Sequence, residues 1–231
     1  MRILAIDAAT EACSAAVLSG DSLVSRHLRL GSGAAECILT LIDEVLAEAR
    51  ADLRSLSAVA FGRGPGGFTG VRLAASLAQG LAFGSGLPVI AVSDLQALAL
   101  QALDLDADLQ AVLVCNDARM HEVYWACYRA GPGRLPEPLT PERVGPPATV
   151  QLPEGVPARL LGVGTGFAAY PELTVPLAAA LTAGTWPELL PRAQEIARLA
   201  ALELRAGRTL IPEQAVPTYL RDDVATPPSR D

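Results

Sequence analysis

The sequence predicts an α/β protein of two lobes, each a mixed β-sheet flanked by helices, with the second lobe abbreviated. Three observations carry this. Short apolar runs alternate with longer stretches of helical periodicity. The chain opens on strands joined by tight turns instead of a βαβ unit, and a shorter version of the same order begins after Asp104. At 231 residues, 51% hydrophobic and 19% charged, the chain has ample apolar surface for two small cores. With aromatics at 4%, those cores must be built from Ala, Leu and Val.

Ile3 to Ile6 reads as a buried strand ending in Asp7, and Cys13 to Leu18 as a second. Gly20-Asp21 is a turn leading into a third, Leu23 through Leu30. Cys37, Ile38, Leu41, Ile42, Val45, Leu46 and Ala49 then recur at helical spacing, with Glu36, Asp43, Glu44 and Glu48 off the stripe. Val59 to Phe61 is a strand, and a helix is expected from Thr69, as N-cap, to about Phe83. Pro88 to Val92 is a strand, and Ser93-Asp94 caps a helix through Leu103. No charge falls between Leu73 and Ser93, but Gly80, Gly84, Gly86 and Pro88 break this stretch. It reads as buried helix, turn and strand, not as a membrane span.

In the second lobe, Ala111 to Cys115 and Val123 to Tyr128 are expected to form a hairpin, and Gly131 to Pro157 a long surface excursion. Leu160 to Val163 is a strand, Gly164-Thr165-Gly166 a turn, and Ala193 to Arg205 an amphipathic helix. The lobes are placed at 1–104 and 105–231, with the 190–206 helix crossing back to the first lobe and a flexible tail after Pro212. This order fits a two-lobed actin-like fold. A doubly wound sheet would not open on an antiparallel meander.

The glycine run Gly62-Arg63-Gly64-Pro65-Gly66-Gly67-Phe68-Thr69 contains G-x-G-x-x-G between a strand and a helix. Pro65 removes a backbone donor, and the meander stands where the first βαβ unit should be, so a dinucleotide site is not expected. The P-loop reading fails because Phe68 replaces the phosphate-binding lysine and the chain has no lysine at all. Gly62, Gly64, Pro65, Gly66, Gly67, Phe68 and Thr69 are therefore read as a structural strand-to-helix turn, with Phe68 as a packed anchor.

Composition excludes several classes. The net charge is −7 and no basic run exists, which argues against stand-alone nucleic-acid binding. The four cysteines are widely spaced, as expected of reduced thiols in a cytoplasmic protein, and the short apolar opening does not predict export. His27 and His121 have no second His or Cys within a helical turn, so no metal site is expected, and His121 should be a solvated residue at a strand edge. A metallopeptidase lacks its H-E-x-x-H and any Ser/His/Asp set.

The run G-R-G-P-G-G-F-T-G-V-R resembles the G-x-G-P-G-S-F-T-G-x-R signature of the bacterial TsaB (YeaZ) family. The opening I-L-A-I-D-A-A-T-E-A-C-S, the segment D-A-R-M-H-E-V-Y-W-A and the ending P-T-Y-L-R resemble family pieces in the same order. Relatives commonly carry R-E-H-[ST] where this chain has Gly31-Ser32-Gly33-Ala34-Ala35. The resemblance implies an actin-like (ASKHA) fold and a non-catalytic subunit of the complex that installs threonylcarbamoyl on adenosine of tRNA. It implies pairing with a catalytic TsaD-type paralogue, joined by a TsaE-type ATPase, with tRNA reached only through the complex.

The residues lean the same way. Asp7 and Thr10 flank the first-strand turn where an actin-like ATPase would cradle phosphate, but Ala8 and Ala9 make a poor cradle. No cofactor is expected beyond weak nucleotide binding there or a nucleotide at the complex interface; the alternative is an active small ATPase or kinase. Asp117, Arg119 and Glu122 form a polar cluster, read either as a partner or lobe contact or as a hairpin-end ion pair. The partner surface is expected on two helices, at Cys37, Leu41, Glu44, Val45, Leu73, Ala74, Ala75 and Ala78, with a homodimer through the same face when the partner is absent.

Overall fold

The computed structural model describes residues 1–29 and 34–221. Gly31 to Gly33 of the segment that departs from R-E-H-[ST], and 222–231 of the tail expected to be flexible after Pro212, lie outside them. The rest of that tail is instead held on the first lobe, with Ala215 buried and the Thr218 amide bonded to the Arg63 carbonyl. The first sheet comprises β1 (Arg2–Asp7), β2 (Ala12–Ser19), β3 (Ser22–Arg29), β4 (Ala58–Gly62) and β5 (Val89–Val92). Their order is β3-β2-β1-β4-β5. The β1–β2–β3 meander is antiparallel, whereas β4 and β5 run parallel to β1.

Because β1 alternates, its two sets of side chains enter different cores. Leu4 and Ile6 join a cluster with α1 (Ala34–Glu48) and α2 (Phe68–Ser85), while Ile3 and Ala5 face the opposite layer. In α2 the buried residues are Val71, Ala74, Ala75, Ala78 and Ala82, and these small side chains let the helix backbone lie close on the sheet. α3 (Asp94–Leu105), capped by Ser93, is shared by the lobes: Ala97 and Leu100 pack toward the first sheet, Leu95, Leu98 and Leu103 toward the second.

The second sheet repeats the plan. β6 (Ala111–Arg119) pairs antiparallel with β7 (Glu122–Ala130), and β8 (Pro136–Pro138) and β9 (Arg143–Gly145) add to β7. β10 (Leu160–Val163) runs parallel to β6. After one-turn helices α4 (Gly166–Ala169) and α5 (Thr174–Leu177), β11 (Thr185–Trp186) pairs with β10. This lobe is shortened in its helices and edge strands, not in strand number. The segment expected as a surface excursion thus contributes β8 and β9. Prolines at both ends of β8 suit an edge strand, where a missing N–H breaks no ladder.

α6 (Ala193–Arg205) lies against β1, β2 and β4 of the first lobe, burying Ala193, Ile196, Ala197 and Ala200 over Ile3, Ala5, Ala16 and Ala60. A buried Glu195, closed by Arg192 at 2.6 Å, sits at its start. Beyond α6 the chain returns to the first lobe. Leu210 bridges to Val89, and Ala215 enters the α1–α2 core.

Three expectations are corrected here. Thr69 does not cap α2: the N-cap is Gly67, which has no side chain to offer, and Thr69 is the second residue of the helix, exposed. Phe68 is no packed anchor, being 55% exposed. Of the expected partner residues, Leu41, Val45, Ala74, Ala75 and Ala78 belong to the core beneath the helices, because the apolar stripe of each helix is spent on its own sheet. Cys37 and Leu73 are half-buried against that core, and Glu44 is exposed and paired with Arg26 at 3.2 Å.

Candidate functional site

The first β1–β2 connection and the glycine run meet face to face. Asp7 ends β1 fully buried, and its Oδ1 accepts from the Ala9 amide at 2.9 Å, folding the Ala8-Ala9 turn back on the strand. Gly67 then donates its amide to the Ala9 carbonyl at 2.7 Å. Gly70, in the first turn of α2, lies so close to the Ala8 carbonyl oxygen that a Cβ would collide with it. The start of α2 therefore sits directly on the turn.

From the other side, Asp94 at the first position of α3 accepts from the Gly64 amide at 2.5 Å and donates its own amide to the Gly64 carbonyl at 3.1 Å. Gly62 lies between the two acids, and a Cβ there would press on both carboxyls. Burial pushes the Asp7 carboxyl up to about 6. Burial first, then the neighbouring Asp7, raises Asp94 well above the usual carboxylate range.

The expected nucleotide cradle lies at this junction. Asp7 has no exposed surface, and the chain's own glycine turn covers Ala8 and Ala9. Thr10 Oγ1 accepts from the Ala12 amide at 3.4 Å. Among the described residues no group of three His, Cys, Asp or Glu side chains is placed to hold a metal ion. No described helix is long and apolar enough to cross a membrane.

At the rim of the turn, Phe68 carries the Arg72 guanidinium 3.4 Å above its ring, and Arg72 Nε donates to the Tyr219 hydroxyl at 2.7 Å. Thr218 donates its amide to the Arg63 carbonyl at 2.8 Å. Arg63 in turn forms a two-pronged ion pair with Glu142 of the second lobe, both contacts at 3.0 Å.

The second hairpin carries the predicted polar cluster, split in two. Asp117 pairs with Arg119 at 2.9 Å and accepts from the Tyr170 hydroxyl at 2.9 Å. Glu122 turns away and pairs with Arg221, which also donates to the Ala118 carbonyl at 3.2 Å. Thr165 Oγ1 accepts from the Asp117 amide at 3.0 Å. His121 lies in the turn between β6 and β7, exposed, edge-on to the Tyr170 ring at 5.1 Å. Asp94, Tyr170, Thr165 and Arg221 were missed as site residues. The P-T-Y-L-R ending was a usable signal for Tyr219 and Arg221; nothing local marked Tyr170.

The outer surfaces of α1 and α2 lie on the same face of the first sheet. They expose Leu39 on α1 and Arg72, Ser76, Gly80, Phe83 and Gly84 on α2, with Phe83 71% exposed. Arg26 reaches Glu44 and Glu48 of α1, closing its polar rim.

A family model described as TsaD: tRNA N6-adenosine threonylcarbamoyltransferase matches residues 33–228. The tRNA threonylcarbamoyladenosine biosynthesis protein TsaB of Escherichia coli is 39% identical over 227 residues, covering 97% of this chain and 96% of that protein. Its Haemophilus influenzae namesake is 38% identical over 233 residues, covering 97% and 95%. Among solved structures, YeaZ from Pseudomonas aeruginosa superposes with a TM-score of 0.85 at 38% identity, covering 95% of this chain and 99% of that one.

Proposed function

The chain belongs to the TsaB (YeaZ) family, and from that premise we propose that it acts in tRNA threonylcarbamoyladenosine biosynthesis as a non-catalytic subunit paired with a TsaD-type paralogue. The observation that carries the non-catalytic half is the filled cradle. The place where an actin-like enzyme would hold phosphate is occupied by the chain's own Gly66–Gly70 backbone, over a wholly buried Asp7. A nucleotide in the complex is then left to the interface between subunits or to the TsaE-type ATPase. A net charge of −7 without lysine leaves tRNA contact to the assembly, in the cytoplasm.

The partner's helices are proposed to seat on the outward strip of α1 and α2, where small residues at Ser76, Gly80 and Gly84 permit close helix approach and Leu39 and Phe83 supply apolar contact. The same strip serves a homodimer when the paralogue is absent. Gly80 has nothing within 4 Å of where its Cβ would lie, so the folded monomer accommodates a side chain there. Gly80→Arg is expected to abolish pairing, read by light scattering, while leaving the thermal midpoint nearly unchanged. Undiminished pairing would remove this surface from the proposal.

The deciding experiment mixes the chain with its TsaD-type paralogue, measures complex formation, and assays tRNA threonylcarbamoylation with and without it. Complex formation with dependent activity supports the subunit reading. No complex, together with ATP turnover by the isolated chain, replaces it with an active ATPase or kinase.

A further inference from the structure

Asp7 and Asp94 are buried with no exposed surface, on elements 87 residues apart in sequence, and their carboxyls converge on Gly62, where a Cβ would collide with Asp94 Oδ1 and lie 2.7 Å from Asp7 Oδ1. Each already uses one oxygen on the backbone, Asp7 Oδ1 toward Ala9 and Asp94 Oδ2 toward Gly64. The remaining two, Asp7 Oδ2 and Asp94 Oδ1, are buried without a hydrogen-bond donor among the described residues. Carboxylate oxygens only accept, so two of them can hydrogen bond only if one carries a proton. Two ionised carboxylates in one buried site repel and are poorly solvated.

We infer that Asp7 and Asp94 form a single buried proton-binding site, a carboxylic acid–carboxylate pair whose shared proton bolts the glycine turn and α3 to the first strand. The pair is independent of the chain's proposed role in tRNA modification.

The surroundings supply no cation that would replace the proton. On β2 the nearest titratable group is Cys13, whose own thiol is pushed up by burial and by the charges of Cys37 and Asp7. From the glycine turn comes Arg63, held by Glu142. The buried face of α2 is Val71 and alanines. On α6 Glu195 is closed by Arg192. From β7 comes Tyr128, buried and with its hydroxyl pushed up by that burial. Arg63 therefore lies at the margin as the nearest positive charge, already matched.

The pH consequence has a definite sign. Between the ordinary carboxylate value of 3.8 and the raised value of about 6 for Asp7, and further up for Asp94, the folded chain binds more protons than the unfolded one. Stability is therefore greatest on the acid side of that window and falls as pH rises through it. The unfolding constant grows by up to about tenfold per pH unit for each proton released.

Infrared spectroscopy of the full chain in heavy water tests this directly. About one protonated-carboxyl C=O band per chain is expected at pH 7, lost on alkalinisation together with thermal stability. In Asp94→Asn the amide donates to Asp7 in the proton's place, so the band should vanish and the pH slope flatten. Should that variant fail to fold, the wild-type spectrum still decides. Absence of the band at neutral pH, or stability that rises with added Mg²⁺ or Ca²⁺ and falls with a chelator, would overturn the proposal in favour of an ionised pair or a cation site.

Discussion

The two lobes each end their central strand in a hairpin that begins with Asp-Ala, and they treat that aspartate in opposite ways. Asp7 is buried beneath the start of α2 and faces another acid, whereas Asp117 is near the surface, paired with Arg119 and hydrogen bonded to Tyr170. In the first hairpin, glycines let another backbone settle on the turn. The second is met by side chains, Tyr170, Thr165 and Arg221, and tightens on itself, with Arg119, Met120 and His121 all left-handed at φ 62, 54 and 58°. What covers a turn therefore decides whether its carboxyl becomes a proton-holding element or an ordinary surface ion pair.

The contrast can be broken most severely from the first lobe. Gly70→Ala drives a methyl into the Ala8 carbonyl, and neither backbone can yield without moving α2 off the turn. The expected loss is about 2–3 kcal/mol despite alanine's better helix propensity, visible as a fall in the thermal midpoint of roughly 6 °C or more. A native midpoint would mean that the contact is slack. The second lobe should respond in the other direction. Met120→Gly relieves a left-handed residue whose side chain is 77% exposed, and it is expected to stabilise by about 0.5–1 kcal/mol after the unfolded-state entropy is subtracted. Destabilisation instead would show that Met120 holds the turn through its contact with Arg221. Smallest of all, Arg119→Ala removes an ion pair whose guanidinium is largely in solvent, so denaturant unfolding should shift by under about 0.5 kcal/mol. A larger loss would place Arg119 in a network resembling that of the first hairpin.

Much of the fold was legible from local signals. The short apolar runs of β1 and β2 and the turn at Gly20 marked the meander, and the glycine run between an apolar strand and a small-residue helix marked the tightest junction of the first lobe. The α1 stripe of Ile38, Leu41, Ile42 and Val45 was equally visible, but periodicity states only that one face is apolar. It does not say whether a sheet or a partner covers that face, and here the sheet does. In α2 apolar residues occur on every side, so no period could separate Ala75, 3% exposed, from Ser76 on the outside. In the second lobe, β8 and β9 were hidden because prolines read as loop, although an edge strand tolerates them.

For the site, sequence alone determined the residue types and their order. It provided an acid at the end of the first strand, two alanines where an enzyme would use better phosphate donors, a glycine turn without lysine, and the motifs that place the chain in its family. Those are local or compositional properties, written in neighbouring residues. Only the tertiary structure decided that Asp7 and Asp94 converge on Gly62, that Gly66 to Gly70 close over Ala8 and Ala9, and that Arg221 takes Glu122 while Arg119 takes Asp117. Each is a meeting of segments tens of residues apart, and such meetings follow from how sheets and helices stack, which no short-range pattern encodes. The charge state of a buried acid depends on the dielectric and the neighbours that this stacking creates, so it was settled last, by the assembled core.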